Sequence, residues 1–228
     1  MAKPPASSDL HKTGSMLLPH AGTLKTTKYI LSKGTLLHRV HHEQYAANQF
    51  NPGLNGNARF SPIKDAEGYP IPTMYAGITK NCAMMETIFH DVSFAPGFKT
   101  YDKNKLNGIV SSTLEVLEEL ELVDLASVAL RKLGITRNQL IDTEKNHYPT
   151  TRQWAEELYL QCPTAQGLVW ISRQDDTARA MVLFGDRITP QFLGQTGESL
   201  SLINDVATYD NVLELADRLD VLIVPGKF

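Results

Sequence analysis

The sequence holds only two cysteines, Cys82 and Cys162, far apart and without CxxC spacing. This excludes a disulfide-stapled secreted mini-domain and a cysteine-based metal cluster, and the two read as reduced, core-type thiols. No apolar run approaches the roughly 20 residues of a membrane span, and the N-terminal stretch MAKPPASSDLHKTGSMLLPHAG lacks a signal peptide's continuous apolar segment. Charge of one sign is lacking too. The 22 basic and 25 acidic residues give a net charge of -3, with the basic residues scattered, so nothing draws the chain to nucleic acid or an anionic membrane. The expectation is a cytoplasmic protein with no membrane segment and no nucleic-acid binding of its own.

At 42% hydrophobic and 21% charged, the 228 residues suffice for a large core. Residues 1–28, rich in Pro, Ser, Lys and Thr, read as a flexible or docking N-terminal arm, and 29–228 as a single domain. Strand composition marks TLLHRVHH (35–42), PTMYAGI (72–78), KLNGIVSSTLEVL, ELVDL, GLVWIS (167–172), ARAMVLFG (178–185) and the terminal VLIVP. Helices are expected from Lys80 to about His90 with Thr79 as cap, in ASVALRKLG up to Gly134, in TTRQWAEELYLQ, and from Tyr209 to Leu219. Strands outnumber helices without βαβ alternation, which predicts an α+β domain built on a curved, mostly antiparallel sheet.

One carboxylate stands out. In NCAMMETIFH, Glu86 projects between Cys82 and Ala83 one turn before it and Phe89 and His90 one turn after. A carboxylate among such neighbours is exposed at a cleft, paired with a base, or neutral through a raised pKa, because an unpaired buried charge is costly. A structural ion pair with an arginine is the plain alternative to a functional role. The histidines His38, His41 and His42 carry no acid or cysteine ligand spacing, and no metal is expected. NPGLNGN lacks both the P-loop GK[ST] and a GxGxxG, and so reads as a lid or turn. Arg152 and Arg173 are candidates for adding positive potential to a pocket, but solvated surface arginines are the commoner case, and both are left out of the expected site.

Read in order, LHRV, RFSP, MYAG, AMMETIF and GLVWISRQ resemble the RES-domain family, over roughly residues 34–187. The resemblance implies an ADP-ribosyltransferase-like fold with a split β-sheet core flanked by helices. It further implies a toxin of a toxin–antitoxin pair that acts on NAD as glycohydrolase or phosphorylase, or as a protein ADP-ribosyltransferase. The partner implied is an Xre-like antitoxin, held in an oligomer. NAD is then the substrate, inorganic phosphate a co-substrate in the phosphorolytic branch, and no prosthetic group is needed.

The residues at the motif positions suit that chemistry. Arg39 and Arg59 offer forked hydrogen bonds to phosphate oxygens. Glu86 can bind ribose hydroxyls and place negative charge beside an oxocarbenium-like centre. Tyr75 offers an aromatic face for nicotinamide or a hydroxyl for ribose, unless it is plain core. Ser172, ending a buried strand, is expected to reach the cleft and bind phosphate or ribose. It is not read as a nucleophile, since no G-x-S-x-G elbow surrounds it. Expected catalytic residues are thus Glu86, Arg39 and Ser172, and expected NAD contacts Arg39, Arg59, Tyr75 and Ser172. A nucleotide- or antitoxin-binding module without turnover is the non-enzymatic alternative.

Overall fold

In the computed structural model, which describes residues 17–226 other than Ala21, Leu54 and Phe94, the apolar runs form strands where they can be covered on both faces. The strands are β1 (Lys28–Leu31), β2 (Leu36–His42), β3 (Thr73–Gly77), β4 (Lys99–Asp102), β5 (Ile109–Val116), β6 (Leu120–Asp124), β7 (Gly167–Ile171), β8 (Arg179–Phe184), β9 (Leu193–Ser201) and β10 (Val221–Val224). The helices are α1 (Lys80–Thr87), α2 (Ser127–Leu133), α3 (Arg137–Leu140), α4 (Tyr148–Gln161) and α5 (Val206–Arg218).

Eight strands make one sheet in the order β1-β6-β7-β8-β3-β2-β5-β9, antiparallel throughout except between β6 and β7. β7 and β8 lie near its middle, and their Leu168, Val169, Trp170, Met181, Val182 and Leu183 are almost completely buried. That explains why both read as unbroken apolar runs rather than as alternating ones. A separate pair joins β4 and β10 in parallel, Lys99 opposite Val221. The α+β class and the mostly antiparallel sheet agree with the sequence.

The sheet is nearly divided between β2 and β3. Among the described residues these neighbours share the single pair His38↔Gly77, whereas β2 pairs with β5 along seven residues and β3 with β8 along five. Beyond Gly77 the two strands splay, and the wedge between Arg39–Val40 and Thr73–Tyr75 becomes the floor of a cleft.

α1 closes one side of this wedge. Thr79 Oγ1 accepts the Cys82 amide at 3.0 Å as its cap, as the sequence indicates. Gly77 lets its first turn lie against β3: a Cβ there would meet Ala83 N and Cys82 Sγ at 3.0 Å. The helix ends at Thr87, and His90 belongs to the turn after it. α4 begins two residues earlier than expected, with Pro149 in its first turn, where proline's missing N–H costs nothing. α5 begins at Val206, capped by Asp205 accepting from Thr208 N.

Three strands are additions to the sequence reading: β1, β4 and β9. β9, LGQTGESLS, is exposed along most of its length and carries no apolar alternation to announce it. Of the stretch read as an arm, residues 1–16 lie outside the described residues. The remainder is attached to α4: Trp154 Nε1 donates to Leu17 O at 2.7 Å, Gln161 Oε1 accepts from Leu24 N at 2.7 Å, and the Leu24 side chain is buried.

Candidate active site

Glu86 is half-buried near the C-terminal end of α1, between buried Met85 and exposed Thr87. Its Oε1 accepts a hydrogen bond from Ser172 Oγ at 2.7 Å. Ser172 follows directly on β7 and is completely buried. Its oxygen in turn accepts the amides of Gln174 and Asp175, each at 3.0 Å. Arg137 pins the same corner from behind, donating to Ile171 O at 3.0 Å and Ser172 O at 3.2 Å. The carboxylate is therefore fastened to the turn between β7 and β8 through a hydroxyl whose three bonds fix its direction.

Arg59 is placed by its neighbours. Phe60 is a fully buried anchor that packs on Trp170 at 5.0 Å between ring centroids, and its amide donates to Tyr75 Oη at 3.0 Å. The Arg59 carbonyl accepts from Thr151 Oγ1 on α4. With the backbone held on both sides, the guanidinium lies 5.7 Å from the Tyr148 ring centroid. Arg59 is 6% exposed, and its buried Nε has no hydrogen-bond partner among the described residues.

Arg39 projects from β2 into the wedge. Its Nη1 donates to the carbonyls of Ala47 and Gln49 at 2.7 Å each and of Ala46 at 3.3 Å, which ties down the loop after β2. Burial lowers its pKa to about 10, so it stays a cation at neutral pH. Nε and Nη2 make no bond within the described residues and supply the remaining fork. Tyr75 lines the same space, its ring 6.2 Å edge-to-face from Trp170. Burial pushes its phenol up to about 12, so it is a neutral hydroxyl.

Two chambers of about 340 Å³ each meet at Arg59, Glu86, His90 and Tyr148. One runs over the wedge past Arg39 and Tyr75 to Asn51 and Asn57. The other runs toward Asp91, Lys145, Arg173 and Gln174. A carboxylate thus stands at the neck of a two-lobed cleft, with a buried guanidinium beside it.

The RES domain profile matches residues 36–201, a span containing every residue just named. The chain belongs to the RES-domain family. No curated protein and no solved structure matches it. The RES family is in general associated with toxin–antitoxin pairs and with NAD-related chemistry.

Within this RES domain, the expected residues Arg39, Arg59, Tyr75 and Glu86 line one chamber together. Ser172 does not: it contributes nothing to the cavity wall and is 0% exposed. The hydroxyl expected to contact phosphate or ribose is instead directed to Glu86 and two amides. The arginines also differ from the expectation of two free forks, since one nitrogen of Arg39 serves the loop at 46–49. Arg173, left out of the expected site, lines the second chamber and donates to Thr143 O at 2.5 Å. Arg152 instead holds the loop before Arg59, donating to Asn57 Oδ1 at 2.9 Å. Sequence reasoning missed Tyr148, Lys145, Gln174 and the part of His90 in the wall. Only His90 carried a signal, its place one helical turn after Glu86. Among the histidines of β2, His41 Nε2 bonds Ser112 Oγ at 2.8 Å and His38 Nδ1 meets Thr113 Oγ1 at 3.3 Å.

Proposed function

We infer that this RES domain cleaves the bond between nicotinamide and ribose in NAD, with water or inorganic phosphate capturing the ribosyl carbon. The observation that carries this reading is the neck of the cleft, where a serine-fastened carboxylate and a buried guanidinium line the same two chambers. NAD joins an anionic pyrophosphate to a ribose whose nicotinamide leaves as a neutral molecule. It asks for cationic forks at one point and fixed negative charge at another.

In this reading the free edges of Arg39 and Arg59 bind pyrophosphate oxygens. Glu86 accepts from the ribose hydroxyls and faces the anomeric carbon as positive charge develops there. Ser172 holds the carboxylate in advance, so no reorganisation is needed during reaction. Tyr75 presents its neutral hydroxyl and ring edge to the bound dinucleotide. Arg39 and Glu86 act on the bound dinucleotide, and Ser172, expected as a catalytic residue, positions Glu86. Nothing in the scheme needs a prosthetic group.

The wider reading follows from the family. The nearly divided sheet with its cleft at the fork suits an ADP-ribosyltransferase-like fold. The chain acts in the cytoplasm as the toxin of a pair, and an Xre-like antitoxin assembles with it and blocks the cleft, while loss of NAD arrests growth. Incubating the purified chain with NAD, with and without inorganic phosphate, tests the reaction. Nicotinamide release that disappears in Glu86→Ala supports it, and ADP-ribose 1-phosphate as product assigns the phosphorolytic branch. A folded, antitoxin-free chain that binds NAD without release refutes it in favour of protein ADP-ribosylation or a binding role.

A further inference from the structure

Beyond the carboxylate and the arginines, one titratable group stands at the crossing of the whole cleft. His90 lines both chambers and also a further cavity of about 430 Å³ that continues past Lys99 and Lys105. Its backbone is fixed, since Gln174 Nε2 donates to His90 O at 3.0 Å. Its ring is oriented by Asp91, whose Oδ1 lies 3.1 Å from Nε2, and Asp91 is itself held by Lys145 Nζ at 2.5 Å. With Nε2 against a carboxylate, which only accepts, the proton of a neutral imidazole is favoured on Nε2, leaving Nδ1 as the basic nitrogen.

We propose that His90, oriented by Asp91, is the general base that takes a proton from the water capturing the ribosyl carbon. This rests on the NAD reading above. The carbon–nitrogen bond breaks first, its electron pair going to nicotinamide, which leaves neutral. The oxygen of water then bonds to the anomeric carbon, its proton passes to His90 Nδ1, and the imidazolium returns that proton to solvent. Lys145 acts on His90 only through Asp91.

The protonation state fits. Burial, more than any charge, lowers the His90 pKa; Asp91 and Glu86 raise it, and Lys145 and Arg59 lower it. The ring is thus neutral at pH 7, as a base must be. Arg173 shares the second chamber, and Lys99 and Lys105 face His90 across the further cavity.

The test measures nicotinamide release and the exchange of labelled nicotinamide into NAD, both in phosphate-free buffer. Exchange needs bond cleavage and return but no deprotonated water. His90→Gln is expected to lower hydrolysis about 100-fold in kcat with little change in KM, to keep exchange, and to recover turnover with azide, which needs no base. Asp91→Asn, which removes an anion that raises the His90 pKa, moves the acid limb of the pH profile to lower pH. Wild-type hydrolysis by His90→Gln overturns the proposal and leaves the NAD reading standing, as does loss of exchange together with hydrolysis. A wild-type chain that neither releases nor exchanges nicotinamide overturns both.

Discussion

Replacing Ser172 by alanine removes one oxygen and three hydrogen bonds: the donation to Glu86 Oε1 at 2.7 Å and the acceptance of the Gln174 and Asp175 amides at 3.0 Å. A hydrogen bond to a charged group contributes about 1.5–3 kcal/mol. The two amides belong to half-buried residues and regain part of their loss from water. The expected net destabilisation is about 2–3 kcal/mol, which in a chain of this size lowers Tm by roughly 5–10 °C. The same loss frees the Glu86 carboxylate to rotate, so kcat for nicotinamide release falls about 10- to 100-fold while KM changes little. Thermal unfolding and steady-state kinetics on one preparation separate the two effects. A coupling control adds Glu86→Gln: if the serine acts through that carboxylate, Ser172→Ala costs little further activity in the Glu86→Gln background. An alanine variant with full kcat refutes the positioning role, and one with unchanged Tm refutes the burial argument.

Other expectations follow from the same geometry. Arg39→Lys keeps a charge but cannot both serve the three carbonyls at 46–49 and present a fork, so KM for NAD rises about tenfold or more and Tm drops. Gly77→Ala forces a methyl to within 3.0 Å of Ala83 N and Cys82 Sγ, shifting α1 and lowering stability by about 1–3 kcal/mol and kcat with it, as denaturant midpoints and rates will show. Burial, with the Glu86 charge next, pushes the Cys82 thiol up to about 12. At pH 8 a thiol reagent therefore labels half-buried Cys162 first and reaches Cys82 only on unfolding, as mass spectrometry of the native protein will show. Gln161→Ala removes the bonds to Leu24 N and Gly22 O and should speed proteolytic cleavage at Lys25 or Lys28 several-fold.

Local pattern carried most of the elements. Thr79 and Gly134 announce a helix cap and a helix stop, and both serve as such, Gly134 at φ 69°. The uniformly apolar β7 and β8 announce a buried sheet centre. What escaped depends on distance along the chain. β4 acquires its partner from β10, more than a hundred residues away, and β9 is polar on both faces because it lies at the sheet edge. The candidate site divides the same way. Arg39, Arg59, Tyr75 and Glu86 were legible as motif residues and do share a chamber. The direction of the Ser172 hydroxyl was not legible, since a serine after a strand faces a cleft or the interior depending on a turn the sequence does not specify. Tyr148, Lys145 and Gln174 enter the wall from elements brought together only by folding.

On the proposed function, Glu86 stabilises charge developing on the NAD ribose rather than merely holding the ligand. Single-turnover nicotinamide release at saturating NAD, comparing wild type with Glu86→Gln, tests it most directly. The amide keeps the size and an acceptor for Ser172 but removes the charge. The expected rate is lower by about 100-fold or more, with NAD affinity within a few-fold of wild type. Equal rates, or a loss confined to affinity, contradict it.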